Sequence, residues 1–315
     1  MTQNHLPTPS RWLTPLRADL LLLICAAIWG VSFLWQKWAN EHVAPLTYVG
    51  VRCLCGGLIT LPLALRPRVR ESLRDPRRRR ALWTGGLAAG LCMAFASGFQ
   101  QTGLLHTTVT NAGFITGLYV VFVPFLGAFL GQRIGVPAWL AVLLALAGMF
   151  LLSFHHATSA ADFAEFVKGL NEGDLWVLLC AATWAVHVQV VGWASKRTDP
   201  VALSVLQFFV GGGLATTYAL CCENITLIGL QGAAAPIVLS AVFAVGLAFT
   251  LQAIAQDVAK PTHTAILLSL ESVFGALTGV FWLSETFDAR QATGCALMLG
   301  AALVAQWPQK QGSAS

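Results

Sequence analysis

Residues 19–29, DLLLLICAAIW, return 155 residues later as DLWVLLCAATW at 174–184, with seven of the eleven positions identical. The identities are Asp19/Asp174, Leu20/Leu175, Leu23/Leu178, Cys25/Cys180, Ala26/Ala181, Ala27/Ala182 and Trp29/Trp184. The match runs on without a gap: Trp38 meets Trp193, Pro45 meets Pro200, Gly56-Gly57 meets Gly211-Gly212 and Leu65 meets Leu220. Further along, the register slips by two residues, so that Ala112 falls on Ala265. The chain is therefore built from two related halves, and any fold assigned to it has to accommodate both.

Each half consists mainly of long apolar runs. Of the 315 residues 56% are hydrophobic and only 10% charged, with a mean hydropathy of +0.68. A water-soluble domain carries about 25% charged residues, so lipid has to be the main solvent. A spanning helix needs about 20 mostly apolar residues. Ten stretches are expected to be such helices: 19–39, 45–65, 81–103, 108–131, 136–154, 174–194, 200–220, 233–255, 261–283 and 289–306. Barrel strands are half that length and alternate in polarity, which these runs do not. The expected fold is an all-α integral membrane protein of ten transmembrane helices.

Lys and Arg set the orientation. With the N-terminus in the cytoplasm, the inner segments carry fifteen basic residues, eight of them between Arg66 and Arg80, and the outer loops carry only Lys168 and Arg290. Both termini are expected in the cytoplasm of a multi-pass protein of the cell (inner) membrane. Arg11 and Arg17 precede the first span without a small-residue cleavage site, so this span reads as a retained signal-anchor. The run RDPRRRR at 74–80 would suit nucleic acid or anionic lipid if it stood alone. Between the second and third spans it is the cytoplasmic anchor the orientation requires, and no nucleic-acid partner is expected.

Five spans per half is an odd number, so the second half enters the membrane from the opposite side. Asp19 then starts its helix inside and Asp174 outside, each carboxylate at a helix N-terminus. The expected layout is a cytoplasmic tail (1–18), a first five-helix repeat (19–154), an extracytoplasmic linker (155–173), a second five-helix repeat (174–306) and a cytoplasmic tail (307–315). Inverted five-helix repeats of this kind are a device of secondary transporters, because two similar halves can exchange conformations and expose a central site to either side.

Several motifs resemble the EamA-like family of the drug/metabolite transporter superfamily, over residues 19–306. They are AAIWGVSFLWQKWA in the first span, the Pro45…Arg52 spacing in the second, AGFITGLYVVFVP in the fourth and AKPTHTAILLSLESVFGALTGVFWLSE in the ninth. Two departures stand out. The fourth span ends LGQR where relatives often carry Gly-Glu, and Ser272 stands where many have Pro, so the ninth span is expected to bend less than theirs. The resemblance implies a central cavity lined by the third, fourth, eighth and ninth helices. It also implies a secondary transporter of amino acids, related metabolites or toxic compounds, moved outward by alternating access and coupled to protons.

Intramembrane polar residues are the candidates for the pathway, because lipid makes them costly. Glu271, near the middle of the ninth span, is the candidate proton carrier; Thr264, Glu271, Gly275 and Thr278 share one stripe on a helical wheel. Arg52 in the second span is expected to attract an anionic substrate group, to pair with Glu271, or to meet backbone carbonyls. His263, Asn111, Thr110, Gln100, Gln101, Gln252 and Gln256 are expected to point inward, either to bind substrate or to hold helices together. Pro124 is a candidate interruption of the fourth helix, and Lys37 a snorkelling anchor.

Catalytic and metal signatures are missing. The eight cysteines lie mostly in apolar runs and form no CxxC pair, His155-His156 is too sparse for a metal, and no DDxxD, HxxxD, GxSxG, HExxH or P-loop occurs. No cofactor, no metal and no catalytic residues are expected. An integral-membrane lipid-modifying enzyme is the alternative, disfavoured because the acidic residues are dispersed singly. The partners expected are a small-molecule substrate, protons and the lipid bilayer, with the chain a monomer or homodimer.

Overall fold

Helix starts are written locally. Pro15, Pro45, Pro76, Pro200 and Pro261 each occupy the first helical turn, where the missing N–H costs nothing. Thr14, Asp75 and Asp199 cap three of these helices by accepting backbone N–H groups. Asn171/Asp174 and Asp288/Gln291 form reciprocal capping boxes. The computed structural model describes residues 13–153, 170–283 and 288–306. Most of the linker, His155-His156, Trp12, Trp307, Ser284-Glu285 and the tail after 306 lie outside them, as does the side chain of Thr110.

Among the described residues, ten apolar helical units follow: α1 (Pro15–Asn40), α2 (Pro45–Ala64), α3 (Pro76–Gly103), α4 (Val109–Gly117 and Tyr119–Phe129), α5 (Val136–Ser153), α6 (Glu172–Ala194), α7 (Pro200–Cys222), α8 (Ala234–Ala255), α9 (Pro261–Leu268 and Glu271–Leu283) and α10 (Ala289–Ala305). Short helices at Pro67–Ser72 and Leu227–Gly232 connect neighbours. Eight units are long and apolar enough to cross a membrane; α5 and α10 are shorter apolar helices. Two starts fall earlier than the apolar pattern suggests. Helix α1 begins at Pro15, and α3 takes in Arg77 to Arg80 because Asp75 and Pro76 nucleate it ahead of its apolar stretch.

The packing obeys an internal exchange of halves. Helix α2 packs on α7 and α5 on α10. The main mixed pairings come as twins: α1 with α8 and α6 with α3, α2 with α8 and α7 with α3, α1 with α9 and α6 with α4. Chain direction shows the inversion. Asn40, ending α1, donates to the Gln101 carbonyl near the end of α3 at 3.2 Å, and a Cβ on Gly103 would touch Gly173 at the start of α6. Asp174 thus lies at the end of the molecule where α1 finishes, opposite Asp19. The end carrying Asp19 also carries the arginines of 66–80 and is called the basic end below.

Close approach needs glycine at two crossings. A Cβ on Gly30 would stand 2.6 Å from the Glu271 carbonyl and 2.7 Å from the Gly275 nitrogen, so α1 and α9 meet backbone to backbone. A Cβ on Gly148 would lie 2.6 Å from the Gly294 carbonyl, which locks the short pair α5 and α10 together.

Three helices are irregular where they face the centre. Helix α4 breaks at Leu118, six residues before Pro124, which sits inside its second segment; the interruption expected at the proline is therefore elsewhere. Helix α9 breaks at Ser269-Leu270, just ahead of Ser272. Both breaks tighten into i→i+3 turns, Leu118 N–H to Ile115 O at 3.1 Å and Leu270 N–H to Leu267 O at 3.2 Å. Within α8, Ser240–Phe249 is wound as a π-helix.

Candidate functional site

A central cavity of about 50 Å³ lies between the halves. Helix α1 supplies Trp29, Ser32, Phe33 and Gln36, and α6 supplies Trp184, His187 and Val188. Arg52 enters from α2, Gln100 from α3, Thr116 and Tyr119 from α4, Phe249 and Gln252 from α8, and Leu268 and Glu271 from α9. The four helices named by the family resemblance do line it, but α1 and α6 contribute as much wall, and α2 adds the guanidinium of Arg52. A volume of this size holds a few waters at roughly 10–15 Å³ each and no metabolite. The site is closed.

Its aromatic wall is built by the repeated phrase. Trp29 and Trp184, the equivalent tryptophans, both rest on Phe249, with ring centroids 4.7 and 5.5 Å away. Trp29 Nε1 donates to the Ala244 carbonyl at 3.1 Å, and Cys25 Sγ to the Ala248 carbonyl at 3.1 Å. Two residues kept in the repeat thus satisfy carbonyls of the π-helical stretch, whose wider i→i+5 winding sits at the wall of the cavity.

The framework is symmetric, but the polar lining is not. Positions 32 and 187 are repeat equivalents, occupied by Ser and His, and so are 52 and 207, occupied by Arg and Gln. His187 Nε2 lies 2.9 Å from Gln207 Oε1, whereas Arg52 lies over the Tyr48 ring, 4.8 Å from its centroid. Arg52 Nε, His187 Nδ1 and Gln252 Oε1 are buried without hydrogen-bond partners, and the Tyr119 hydroxyl and the Glu271 carboxyl are buried next to one another. Such orphaned groups cost about 1–3 kcal/mol each. Here they surround one cavity. The ion pair considered between Arg52 and Glu271 does not form; each borders the cavity separately. Glu271 is 5% exposed and opens the second segment of α9, so a buried carboxyl stands at a broken helix in the centre of the protein, next to the Tyr119 hydroxyl.

Other candidates fall elsewhere. Gln101 Nε2 donates to the Gln36 carbonyl at 2.9 Å and to Asn40 Oδ1 at 2.7 Å, tying α3 to α1 outside the cavity. Gln256 Nε2 donates to the Val188 carbonyl at 2.9 Å and its Oε1 accepts from Gln252 at 3.0 Å, joining α8 to α6. Thr264 is fully buried away from the cavity, on the segment of α9 before the break. Asn111 contributes its backbone N–H to the Thr108 cap of α4 and does not line the cavity.

His263 lies at the basic end, 2.6 Å from Asp19 through Nε2 and 3.2 Å from the Ala305 carbonyl through Nδ1. It borders a second, much larger cavity of about 1210 Å³, a vestibule walled by the starts of α1 and α9 and the ends of α4, α6 and α10. An amide bridge forms part of the vestibule wall. Gln132 donates to Gln189 Oε1 at 2.8 Å and Gln189 donates to the Val123 carbonyl at 2.8 Å, next to Val188 on the central wall. Gln132 is the glutamine of LGQR, the departure noted above.

Several lining residues, His187, Tyr119, Gln36 and Gln189, are not among the sequence candidates. His187 and Gln36 were detectable as lone polar residues in apolar helices. Tyr119 was not, since its surroundings are uniformly apolar.

The profile of the EamA-like transporter family matches residues 16–154 and again 171–306. The chain belongs to the EamA-like transporter family. An uncharacterized transporter of Archaeoglobus fulgidus is 29% identical over 295 residues, covering 92% of this chain and 85% of its own length. The uncharacterized transporter YwfM of Bacillus subtilis is 26% identical, covering 94% and 96%. A chloroplastic WAT1-related protein of Arabidopsis thaliana is 24% identical, covering 89% and 67%. A protein crystal structure with 21% identity superposes with a TM-score of 0.72 over 92% of this chain and 96% of its own, which supports the fold. As an EamA-like protein the chain is a multi-pass membrane protein, a transporter whose setting is the bilayer and whose cargo is a small molecule.

Proposed function

We propose that this protein is a secondary transporter that exports small metabolites, amino acids or related compounds, by proton-coupled alternating access. In this reading all ten helical units cross the cell membrane and the basic end, with both termini, faces the cytoplasm. The observation that carries it is the pair of broken helices, α4 at Leu118 and α9 at Ser269-Leu270, meeting at one cavity bordered by the buried Glu271 and Arg52. Discontinuous helices from each of two inverted repeats, converging on polar groups at mid-depth, are how secondary transporters build a site that can open to either side. Glu271 binds and releases the coupling proton, Arg52 holds an anionic group of the cargo, and Trp29, Trp184 and Phe249 receive its apolar part. Substrate entering the vestibule would part the Gln132–Gln189 bridge and close behind it.

Reconstitution into liposomes with an imposed pH gradient, screened with amino acids and nucleosides, tests the reading. Flux of at least one solute should follow the gradient, and Glu271→Gln should abolish the coupling while the purified protein keeps its helical content. Full, equally pH-dependent flux in the Glu271→Gln variant removes Glu271 from the mechanism. Turnover of a lipid with no gradient-dependent flux favours the enzyme.

A further inference from the structure

Helix α9 starts at the wall of the vestibule without a side-chain cap. Its N-cap residue is Lys260, which carries no acceptor, and its first residue is Pro261. The first backbone bond of this turn runs from the Thr264 N–H to the Lys260 carbonyl at 2.9 Å, leaving the N–H groups of Thr262 and His263 available to a ligand. At the opposite end of the molecule, α4 is closed differently, with Thr108 accepting from the Asn111 N–H at 3.1 Å. Thr262 adds an independent observation: it lines the vestibule, is 5% exposed, and its hydroxyl has no partner.

Basic side chains outnumber acidic ones around this turn. Lys196, Lys260, Arg133 and Arg197 line the same vestibule. Burial pushes the Lys196 ammonium below the usual lysine range; Asp257 opposes that shift, and Lys260 and Arg197 add to it. Asp19 is the one carboxylate among the described lining residues, and it is engaged by His263 at 2.6 Å. Crowded ammonium and guanidinium groups, open N–H groups at a helix start and an unpartnered hydroxyl all gain from the same kind of ligand.

We propose that the vestibule holds a binding site for an anionic head group, phosphoryl or carboxylate, seated on the first turn of α9 at Thr262 and His263 and clasped by Lys260 and Lys196. The site is separate from the central cavity and its occupancy does not require transport. A free solute and a lipid head group offer the same chemistry, and the experiment tells them apart.

The full-length protein in phosphatidylcholine nanodiscs is titrated with inorganic phosphate against chloride at constant ionic strength, and the unfolding midpoint is followed. A saturable rise specific to phosphate is expected. Lys260→Gln and Lys196→Gln should each weaken the apparent affinity about tenfold. The isosteric Thr262→Val should weaken it several-fold, and Thr262→Ser should restore it. Arg78→Gln, the same charge loss outside the vestibule, should leave it unchanged. If phosphatidylglycerol nanodiscs raise the midpoint without phosphate and blunt the phosphate response, the head group is a lipid's; a phosphate response of equal size in both lipids assigns the site to a solute. No saturable shift in phosphatidylcholine overturns the proposal, and so does a shift that neither Lys260→Gln nor Thr262→Val alters.

Discussion

Asp19 and His263, 244 positions apart, meet at 2.6 Å where α1 and α9 begin at the basic end. Their inverted counterpart lies at the other end, where Asp174 of α6 accepts from the Thr107 hydroxyl at 2.5 Å, just before α4. Each repeat therefore uses the carboxylate of its first helix to hold the entrance of the other repeat's fourth. The chemistry differs: a histidine partner at one end, a hydroxyl at the other. Asp19→Ala should lower stability by about 1–3 kcal/mol, the cost of stranding a largely buried partner, and Asp19→Asn by less because its amide oxygen still accepts. Thermal unfolding in detergent checks this; equal losses for Ala and Asn would place the effect in charge alone.

Glu223 acts as a distant cap. Its carboxylate accepts from the Leu46 N–H at 2.8 Å and from the Thr47 N–H and hydroxyl at 2.7 Å each, joining the end of α7 to the start of α2. Ala44, the N-cap residue there, offers no side-chain bond. Glu223→Ala should cost about 2 kcal/mol or more, and Thr47→Val a smaller part of it, since the two backbone donors stay satisfied. Chemical denaturation of both variants is the measurement.

Two glycine substitutions should have opposite signs. Gly30→Ala would drive a methyl into the Glu271 carbonyl and the α9 backbone, costing about 1–3 kcal/mol through overpacking. A Cβ on Gly213 within α7 meets nothing within 4 Å, so Gly213→Ala should be neutral or stabilise by up to about 1 kcal/mol through helix propensity. Paired melting curves decide, and a stabilised Gly30→Ala would mean that α1 and α9 do not cross as described.

At the turn after α8, Asp257 carries a carboxyl raised above its usual range, chiefly by burial, with Lys196 opposing the shift. A carboxyl with a raised folded pKa costs stability when ionised, and that cost is relieved as the pH falls and the folded state takes up the proton first. The difference in midpoint between Asp257→Asn and the wild type should therefore shift in favour of the wild type between pH 7 and about pH 4. A parallel pH dependence of the two would show that Asp257 is not the titrating group.

Much of the architecture could be read from residues alone, because lipid leaves so few choices. Apolar runs in a bilayer have to be helices, and the basic run at 66–80 marks one end. The doubling of DLLLLICAAIW, with an odd number of runs per copy, implies the inversion later seen in the Asp19 and Asp174 contacts. Arg52, Gln100, Gln252 and Glu271 stood out as lone polar residues in apolar helices, which lipid makes costly, and all four line the cavity.

Which polar residues face a shared space was a different matter, and only packing decided it. Gln101 and Gln256 look like Gln100 and Gln252 in sequence, yet they bond backbone carbonyls of neighbouring helices instead of lining the cavity. Thr264 does not line the cavity with Glu271, α9 breaks between them at Ser269-Leu270, and α4 breaks at Leu118 ahead of its proline. Periodicity presumes a continuous helix, so it does not register such breaks. The meeting of Trp29 and Trp184 on Phe249, and of Asp19 with His263, depends on distances between segments more than sixty residues apart. Local composition carries no information about those distances, and the folded chain supplies them.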